Sequence, residues 1–389
     1  MDQLGLYIHI PFCQAKCSYC DFTSYVGLNP LFAPYVEALG AEMAWYAEVG
    51  FPETDTLHIG GGTPTILPTH LLERVLKGVR RHFRLSPQAE ITVEANPARA
   101  DEGKLQMLRA AGVTRLSLGV QSLRDGELVL LGRIHTAAEA LGSYWQARAA
   151  GFANINLDLI YGLPGQRLSD WQATLEQALA LRPEHLACYG LTLEEGTPLA
   201  DRVSAGELPP PDDDLAAEMY ELAEERLEQA GYYHYEISNW ARSPAHISRH
   251  NVRYWRYESY LGLGAAAHSF RRAHRWWNVS HPETYIARLK GARSTPSTWE
   301  SPGGAGGEVI SRGMAMAEMV MLGLRLVEEG VGLANFARRF GKPLERVYGA
   351  EIEALAQIGL LEIAPDRIRL TPRGRLLGNE AFQRFLPPS

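Results

Sequence analysis

The sequence predicts an α/β protein: a partial, six-stranded (β/α)6 barrel resembling a TIM barrel, followed by a C-terminal α+β domain of winged-helix type. Residues 1–200 repeat short apolar runs, Gly- or Pro-containing turns and amphipathic stretches, which is typical of a parallel sheet. The apolar runs also alternate with polar residues, so one face of the predicted sheet is polar. Because a fully packed barrel is filled with Val, Ile and Leu, a polar lumen is expected to hold a polar ligand.

Six strands are predicted in the barrel. In the fourth, Leu116 and Leu118 face away from Ser117, Gly119 and Gln121, and the other strands alternate in the same way. The six are LYIHI (6–10), TLHIG (56–60), EITVE (90–94), RLSLGVQ (115–121), INLDLI (155–160) and HLACYGL (185–191). Helical spacing predicts helices between them, among them PYVEALGAEMAWYAEV, HLLERVLKGVRRHF and WQATLEQALAL. Function is expected at the carboxyl ends of the strands, which precede a cysteine loop, GGGTPT and YGLPGQ.

The chain is predicted to divide at a Gly-rich stretch. The barrel domain is expected over residues 1–300; it includes a long helix after the PPPDDD break and an aromatic-rich extension at about 232–300. Residues 301–309, which contain SPGGAGGE, are expected to be a linker. Residues 310–389 read as helix, short helix (LANFARRF), helix (LERVYGAEIEALAQIG) and a two-stranded wing (LLEIAPDRIRLTPRG).

Composition and charge narrow the class of protein. The 389 residues carry a formal net charge of -7 without a basic run, and the helix in the place of a recognition helix carries Glu345, Glu351 and Glu353, so no nucleic-acid partner is expected. The N-terminus lacks a signal-peptide pattern and no stretch is apolar enough to span a membrane, which predicts a cytoplasmic protein. Peripheral association with a membrane stays open.

Three of the four cysteines lie within HIPFCQAKCSYCDF. Cys13, Cys17 and Cys20 on one tight loop are suited to hold three corners of an iron–sulfur cube, which leaves the fourth iron open to another ligand. The alternative is a structural zinc site with His9 as fourth ligand, although the strand period directs His9 into the lumen. The fourth cysteine, Cys188, is expected to be a small buried hydrophobic residue.

The spacing C-x3-C-x2-C, with Tyr19 before the last cysteine, resembles the radical S-adenosylmethionine (SAM) signature, whose proteins have a six-stranded partial barrel. The resemblance implies that the three cysteines bind a [4Fe-4S] cluster and that S-adenosylmethionine chelates the open iron. It also implies an electron donor if the sulfonium is cleaved to a 5'-deoxyadenosyl radical.

Six motifs follow in order those of the oxygen-independent coproporphyrinogen III oxidase group: YIHIPFC, LHIGGGTPT, VEANP, LSLGVQS, LGRIHT and DLIYGLPGQ. The match implies contacts with S-adenosylmethionine from Tyr7, Gly61, Gly62, Thr63, Glu94, Gln121, Arg133 and Asp158. Their chemistry fits, since Glu94 can pair with a sulfonium or ammonium, Arg133 with a carboxylate, and Gln121 and Asp158 with a ribose or amine. Each alone is also compatible with a hydrogen-bonded polar group of the core.

Two departures separate the sequence from the oxidases of that group. Phe22 stands where they have a further cysteine, and Cys13 comes almost at once, where they have an N-terminal extension. Both features resemble a heme-chaperone branch, which also has an H-N-x-x-Y-W element, here His250 to Trp255. His250 and Tyr254 are competent axial ligands for heme iron. The alternatives are an aromatic core around a hydrogen-bonded His250, or ligation by His234 or His268.

The sequence therefore predicts a heme-binding carrier with a [4Fe-4S] cluster and S-adenosylmethionine, which passes heme to acceptor proteins. The rival reading is an oxidoreductase that decarboxylates the propionates of coproporphyrinogen III. A DNA-associated radical enzyme is a third reading, which the acidic C-terminal helix argues against.

Overall fold

A computed structural model describes residues 3–51, 53–291 and 300–387. Its strands are β1 (Leu4–Ile10), β2 (Phe12–Cys13), β3 (Tyr25–Val26), β4 (Thr54–Gly61), β5 (Leu85–Ala95), β6 (Arg115–Gln121), β7 (Ile155–Tyr161), β8 (His185–Gly190), β9 (Tyr233–Glu236), β10 (Asn239–Ala241), β11 (Tyr260–Leu263), β12 (His268–Arg271), β13 (His274–Asn278), β14 (Gly304–Val309), β15 (Val331–Gly332), β16 (Leu361–Ile363) and β17 (Arg367–Leu370). Its helices are α1 (Phe32–Val49), α2 (Thr69–His82), α3 (Glu102–Ala110), α4 (Asp125–Leu130), α5 (Ala137–Ala149), α6 (Leu168–Ala180), α7 (Pro198–Ser204), α8 (Asp213–Gln229), α9 (Arg249–Trp255), α10 (Pro282–Leu289), α11 (Arg312–Gly323), α12 (Leu333–Phe340), α13 (Glu345–Gln357), α14 (Pro372–Leu376) and α15 (Gly378–Phe382).

The main sheet contains the six predicted strands side by side and parallel, in the order β1-β4-β5-β6-β7-β8. On one side β11 pairs parallel with β1 and is followed by β12, β13 and β14; on the other, β10 and β9 follow β8. Among the described strands, β14 and β9 are the two edges, so the curved sheet does not close. The predicted six-stranded α/β architecture is confirmed.

The apolar face of the sheet forms the larger core. Leu4, Leu6, Ile8 and Ile10 of β1 are fully buried, as the two-residue period predicts. Helices α1 and α2 pack in the same core, and each buried aliphatic side chain contributes about 1.5–3 kcal/mol. This leaves the opposite, polar face of the strands free to line a lumen.

A buried carboxylate joins α1 to the added strands. Glu42 has no exposed surface and accepts hydrogen bonds from the Gly264 backbone, Asn278, Tyr285 and Ser301, at 2.6–2.8 Å. Burial raises the pKa of Glu42, and these donors act in the opposite direction. The cluster fixes the β11–β14 side of the sheet against the barrel.

The Gly-rich stretch at 301–309, predicted to be a linker, is a strand over most of its length. Gly304–Val309 is the edge strand β14, antiparallel to β13, with Trp277 opposite Gly306. Glycines suit this strand because a Cβ on Gly306 would lie 3.0 Å from the Trp277 ring. Of the aromatic-rich extension predicted at 232–300, residues 292–299 lie outside the described residues.

The C-terminal part has its own core. Helices α11, α12 and α13 pack with a small antiparallel sheet of order β15-β17-β16 around Phe336, Ile352, Ile368 and Phe385. The predicted LANFARRF helix is α12, and the predicted wing is β16 and β17. Within the described chain, no helix combines the length and hydrophobicity needed to cross a membrane.

Candidate functional site

A cavity of about 420 Å³ lies at the carboxyl ends of the parallel strands, and all three clustered cysteines line it. The loop follows β1, and β2 pairs with β3 across it. Ser18 fixes the loop to the region after β6, because its backbone N–H donates to Leu131 O and its hydroxyl to Leu130 O. The thiols are therefore held at one end of the lumen rather than on an exposed loop.

The Gly-rich turn after β4 approaches the cysteine loop closely. A Cβ on Gly62 would lie 2.6 Å from Phe12 O and 3.0 Å from Cys13 Sγ, and Gly61 has a φ of 112°, which L side chains rarely adopt. Thr63 places its Oγ1 3.7 Å from Cys13 Sγ. The predicted residues of GGGTPT thus form the wall next to Cys13.

Arg133 and Tyr19 stand beside the other sulfurs. Arg133 Nη1 donates to Cys17 Sγ at 3.2 Å, and its Nη2 donates to Gly119 O at 2.7 Å. Burial raises the pKa of Tyr19, so its phenol stays protonated. Burial also raises the pKa of the Cys20 thiol, and the charges of Cys17 and Cys13 add to this effect.

The polar strand residues complete the lining. Glu94 Oε1 forms a 2.8 Å hydrogen bond with His58 Nε2. Asp158 accepts hydrogen bonds from Asn156 at 2.7 Å and from Ser117 at 3.1 Å; burial, followed by the charge of Glu94, raises its pKa to about 6. Gln121 has a φ of 67° at a register shift between β6 and β7, a strained geometry that is common at functional sites.

The donor set fits an iron–sulfur cube better than a single zinc ion. Three thiols face one cavity, yet among the described residues no three His, Cys, Asp or Glu side chains converge on a point that would hold one metal ion. In a cube each thiolate binds a different iron, so such convergence is not needed. His9, the fourth ligand of the zinc alternative, uses both ring nitrogens, with Tyr7 OH at 2.9 Å and Thr23 O at 2.8 Å. Cys188 is buried apart from this cavity, as expected.

Tyr7, His250 and Tyr254 do not line the first cavity but a second one of about 330 Å³. The two cavities share Glu94, Ser117, Asp158 and Tyr189, so the second continues the lumen toward the amino ends of the strands. The ring of Tyr7 is tilted against those of His58 and His250, with centroid distances of 6.0 Å and 6.5 Å.

His250 has the surroundings of a hydrogen-bonded core histidine. It is 1% exposed, and its Nδ1 and Nε2 lie 2.9 Å from Thr56 Oγ1 and Tyr254 OH. Burial lowers the pKa of His250 well below its ordinary value, so the ring is neutral. Neither ring nitrogen is free to bind heme iron in this arrangement. His234 is also engaged, with Glu224 and Ile237 O. The imidazole of the exposed His268 forms no hydrogen bond with a described residue, and its ring stacks on that of Trp277, with 5.7 Å between the ring centroids.

Several lining residues were not predicted as site residues. His58, Ser117 and Asn156 hold the two lumen carboxylates, and Tyr189 and Arg115 close the lumen. The strand period already places Ser117 and Asn156 on the polar face, and it does the same for His58 and Arg115. Only the pairing of the strands shows which carboxylate each one contacts.

Two family descriptions match the chain. Residues 7–178 match the Radical SAM superfamily, and residues 310–377 match the HemN C-terminal domain. Together with the fold and the cysteine loop, these matches define the class as radical SAM proteins.

Similar proteins identify the family within this superfamily. Two proteins named heme chaperone HemW, from Mycobacterium tuberculosis and Bacillus subtilis, are 40% and 38% identical to the chain over 98% of its length and 94% and 98% of theirs. A mouse protein, radical S-adenosyl methionine domain-containing protein 1, mitochondrial, is 41% identical over 98% of the chain and 87% of its own length. The chain belongs to the radical SAM superfamily and, within it, to the family of the heme chaperone HemW.

Among solved structures, coproporphyrinogen III oxidase (HemN) from Escherichia coli, described as a radical SAM enzyme, matches with a TM-score of 0.83. The match covers 99% of the chain and 90% of that protein at 24% identity. At this identity the likeness establishes the shared fold and not a shared activity.

Proposed function

We propose that the protein is a heme chaperone: it binds heme, transfers it to acceptor proteins, and carries a [4Fe-4S] cluster on Cys13, Cys17 and Cys20 with S-adenosylmethionine on the open iron. The observation that carries this proposal is the likeness to proteins named heme chaperone along nearly the whole chain. Phe22, which replaces a further cysteine of the oxidases, is 64% exposed at the mouth of the cysteine-lined cavity and supports the same conclusion.

The cavity residues support binding of S-adenosylmethionine. When bound, it supplies a fourth-iron ligand and, after reduction, a source of a 5'-deoxyadenosyl radical. Glu94 is 39% exposed toward the cavity and is available for an ammonium group, while the Gly61–Gly62 turn lets the backbone approach a ligand. Arg133 is engaged by Cys17, and its remaining N–H groups are suited to a carboxylate.

Heme ligation at His250 requires a change of hydrogen bonding. If Nδ1–H donates to Thr56 Oγ1, the lone pair of Nε2 points to Tyr254 OH, and iron has to displace that hydroxyl. His268 offers a free imidazole beside an indole ring, which suits a porphyrin face, and is the alternative ligand.

The second candidate function is coproporphyrinogen III oxidation, favoured by the shared fold with HemN. An anaerobic experiment separates the two. The reconstituted protein is titrated with heme, mixed with an apo-hemoprotein, and in parallel incubated with coproporphyrinogen III, S-adenosylmethionine and a reductant. Heme uptake and transfer without formation of protoporphyrinogen supports the chaperone, whereas catalytic formation of protoporphyrinogen and 5'-deoxyadenosine contradicts it.

A further inference from the structure

The second cavity contains a buried cation that forms no hydrogen bond or ion pair with any described residue. Arg115 opens β6, points into the lumen and is 3% exposed. Its guanidinium makes no hydrogen bond or ion pair within the described chain, and its Nε is buried without a partner. The charge of Asp158 acts on Arg115 from within the same cavity, but the two groups form no hydrogen bond or close ion pair, so this buried cation is only partly compensated, which is costly.

The nearby carboxylates form their hydrogen bonds with other side chains. Asp158 accepts from Asn156 and Ser117, and Glu94 pairs with His58. His58 also has a buried Nδ1 without a partner, which is a donor only when the ring carries both protons, because Nε2–H donates to Glu94. The cavity therefore holds a guanidinium with unused donors beside two carboxylates that are hydrogen-bonded to other side chains.

We infer that the second cavity binds a carboxylate, with Arg115 as its counter-ion. The volume of about 330 Å³ is at the small end of ligand pockets and suits a carboxylate-bearing arm or a small acid. Two sources share this chemistry: a propionate arm of heme, which rests on the proposed function, and a free small carboxylic acid, which does not.

The first arm of the test uses a small acid. The thermal midpoint of the anaerobic protein is measured in sodium propionate and in sodium chloride of equal ionic strength. An occupied site is expected to raise the midpoint by about 2–4 °C in propionate. Arg115→Met should abolish the shift, while Arg115→Lys should keep part of it and Arg80→Met, an exposed control on α2, should keep all of it.

The second arm uses heme and its dimethyl ester, in which both propionates are neutral. If a propionate enters the cavity, wild type should bind heme roughly 10- to 100-fold more tightly than the ester, and Arg115→Met should remove this preference. If sodium propionate raises the thermal midpoint but heme binds no more tightly than its dimethyl ester, the site is assigned to a free acid. If wild type binds no heme at all, the proposed function fails and the propionate arm alone decides the site.

Two results overturn the inference. One is the absence of both the propionate shift and the preference for heme in wild type. The other is a large loss of stability in ligand-free Arg115→Met. Because Arg115 has no hydrogen bond or ion pair within the described chain to lose and acts on Asp158 through its charge alone, that variant is expected to unfold near the wild-type temperature, and a strong loss would show a structural role instead.

Discussion

Arg133 donates a 3.2 Å hydrogen bond to Cys17 Sγ and a second hydrogen bond to the backbone of Gly119, so one side chain connects the cysteine loop to β6. Hydrogen bonds to ligand sulfurs help to set the potential of an iron–sulfur cluster. A positive donor stabilises the more negative, reduced state. Arg133→Met is therefore expected to lower the midpoint potential of the cluster by on the order of 50 mV.

This shift is measurable by a redox titration followed by electron paramagnetic resonance. Arg124→Met is the control, since Arg124 pairs with Asp170 outside the cysteine-lined cavity. An unchanged potential in an Arg133 variant that keeps its full iron content would contradict the role of this hydrogen bond.

The carboxyl group of Asp158 predicts a dependence of stability on pH. Its pKa is raised from 3.8 to about 6, chiefly by burial. A carboxyl group whose pKa is higher in the folded state than in the unfolded state destabilises the fold when it is ionised. This destabilisation is absent below about pH 4, grows as the pH rises to about 6, and reaches roughly 3 kcal/mol. As the pH is raised from 4 to 7.5, the stability of Asp158→Asn relative to that of wild type should increase by up to this amount.

Urea denaturation of the cluster-free protein at the two pH values checks this prediction. Asp214→Asn, on the exposed side of α8, serves as control and should show no such change. If wild type and Asp158→Asn respond to pH in parallel, Asp158 does not titrate in this range.

The Glu42 cluster predicts a large and specific effect on stability. Glu42→Ala leaves the donors of Asn278, Tyr285 and Ser301 without their acceptor in a buried region. A loss of about 3–5 kcal/mol is expected. Glu37→Ala, exposed on the same helix, should stay within about 0.5 kcal/mol of wild type. Equal stability of the two variants would mean that Glu42 does not hold the β11–β14 region to the barrel.

Heme titration of single variants distinguishes the two histidine candidates. If His250 binds the iron, Tyr254→Phe removes the competing hydroxyl and should tighten heme binding, while His250→Ala should weaken it strongly. If Tyr254 is itself the ligand, Tyr254→Phe should instead weaken binding. Loss of the heme absorption band only in His268→Ala would identify His268 on β12 as the ligand and exclude His250 and Tyr254.

Much of the barrel follows from local patterns. The predicted fourth strand is β6 at both ends, because alternation over seven residues is unambiguous. By contrast, β9 to β13 have three to five residues each, too short for a clear period. β14 was missed because a glycine-rich strand has few side chains to alternate, and its pairing with β13 provides the order that its own sequence lacks.

For a similar reason, the sequence predicts some features of the site and not others. Three cysteines within eight positions are a local signal, and the strand period brings Glu94, Gln121 and Asp158 to the same cavity as those cysteines. The environment of His250 depends on Thr56, which is 194 positions away in sequence. Arg115 likewise reads as an ordinary strand-terminal charge until the fold shows it buried without a partner.

The central claim is that Cys13, Cys17 and Cys20 hold an iron–sulfur cube. Iron and sulfide content, with the visible absorption spectrum, after anaerobic reconstitution of wild type, Cys17→Ser and Cys188→Ser tests it most directly. We expect close to four irons and four sulfides in wild type and in Cys188→Ser, whose sulfur is buried away from the cavity, and a strong loss in Cys17→Ser. A colourless wild-type protein that holds one zinc ion, or equal iron in all three proteins, would contradict the claim.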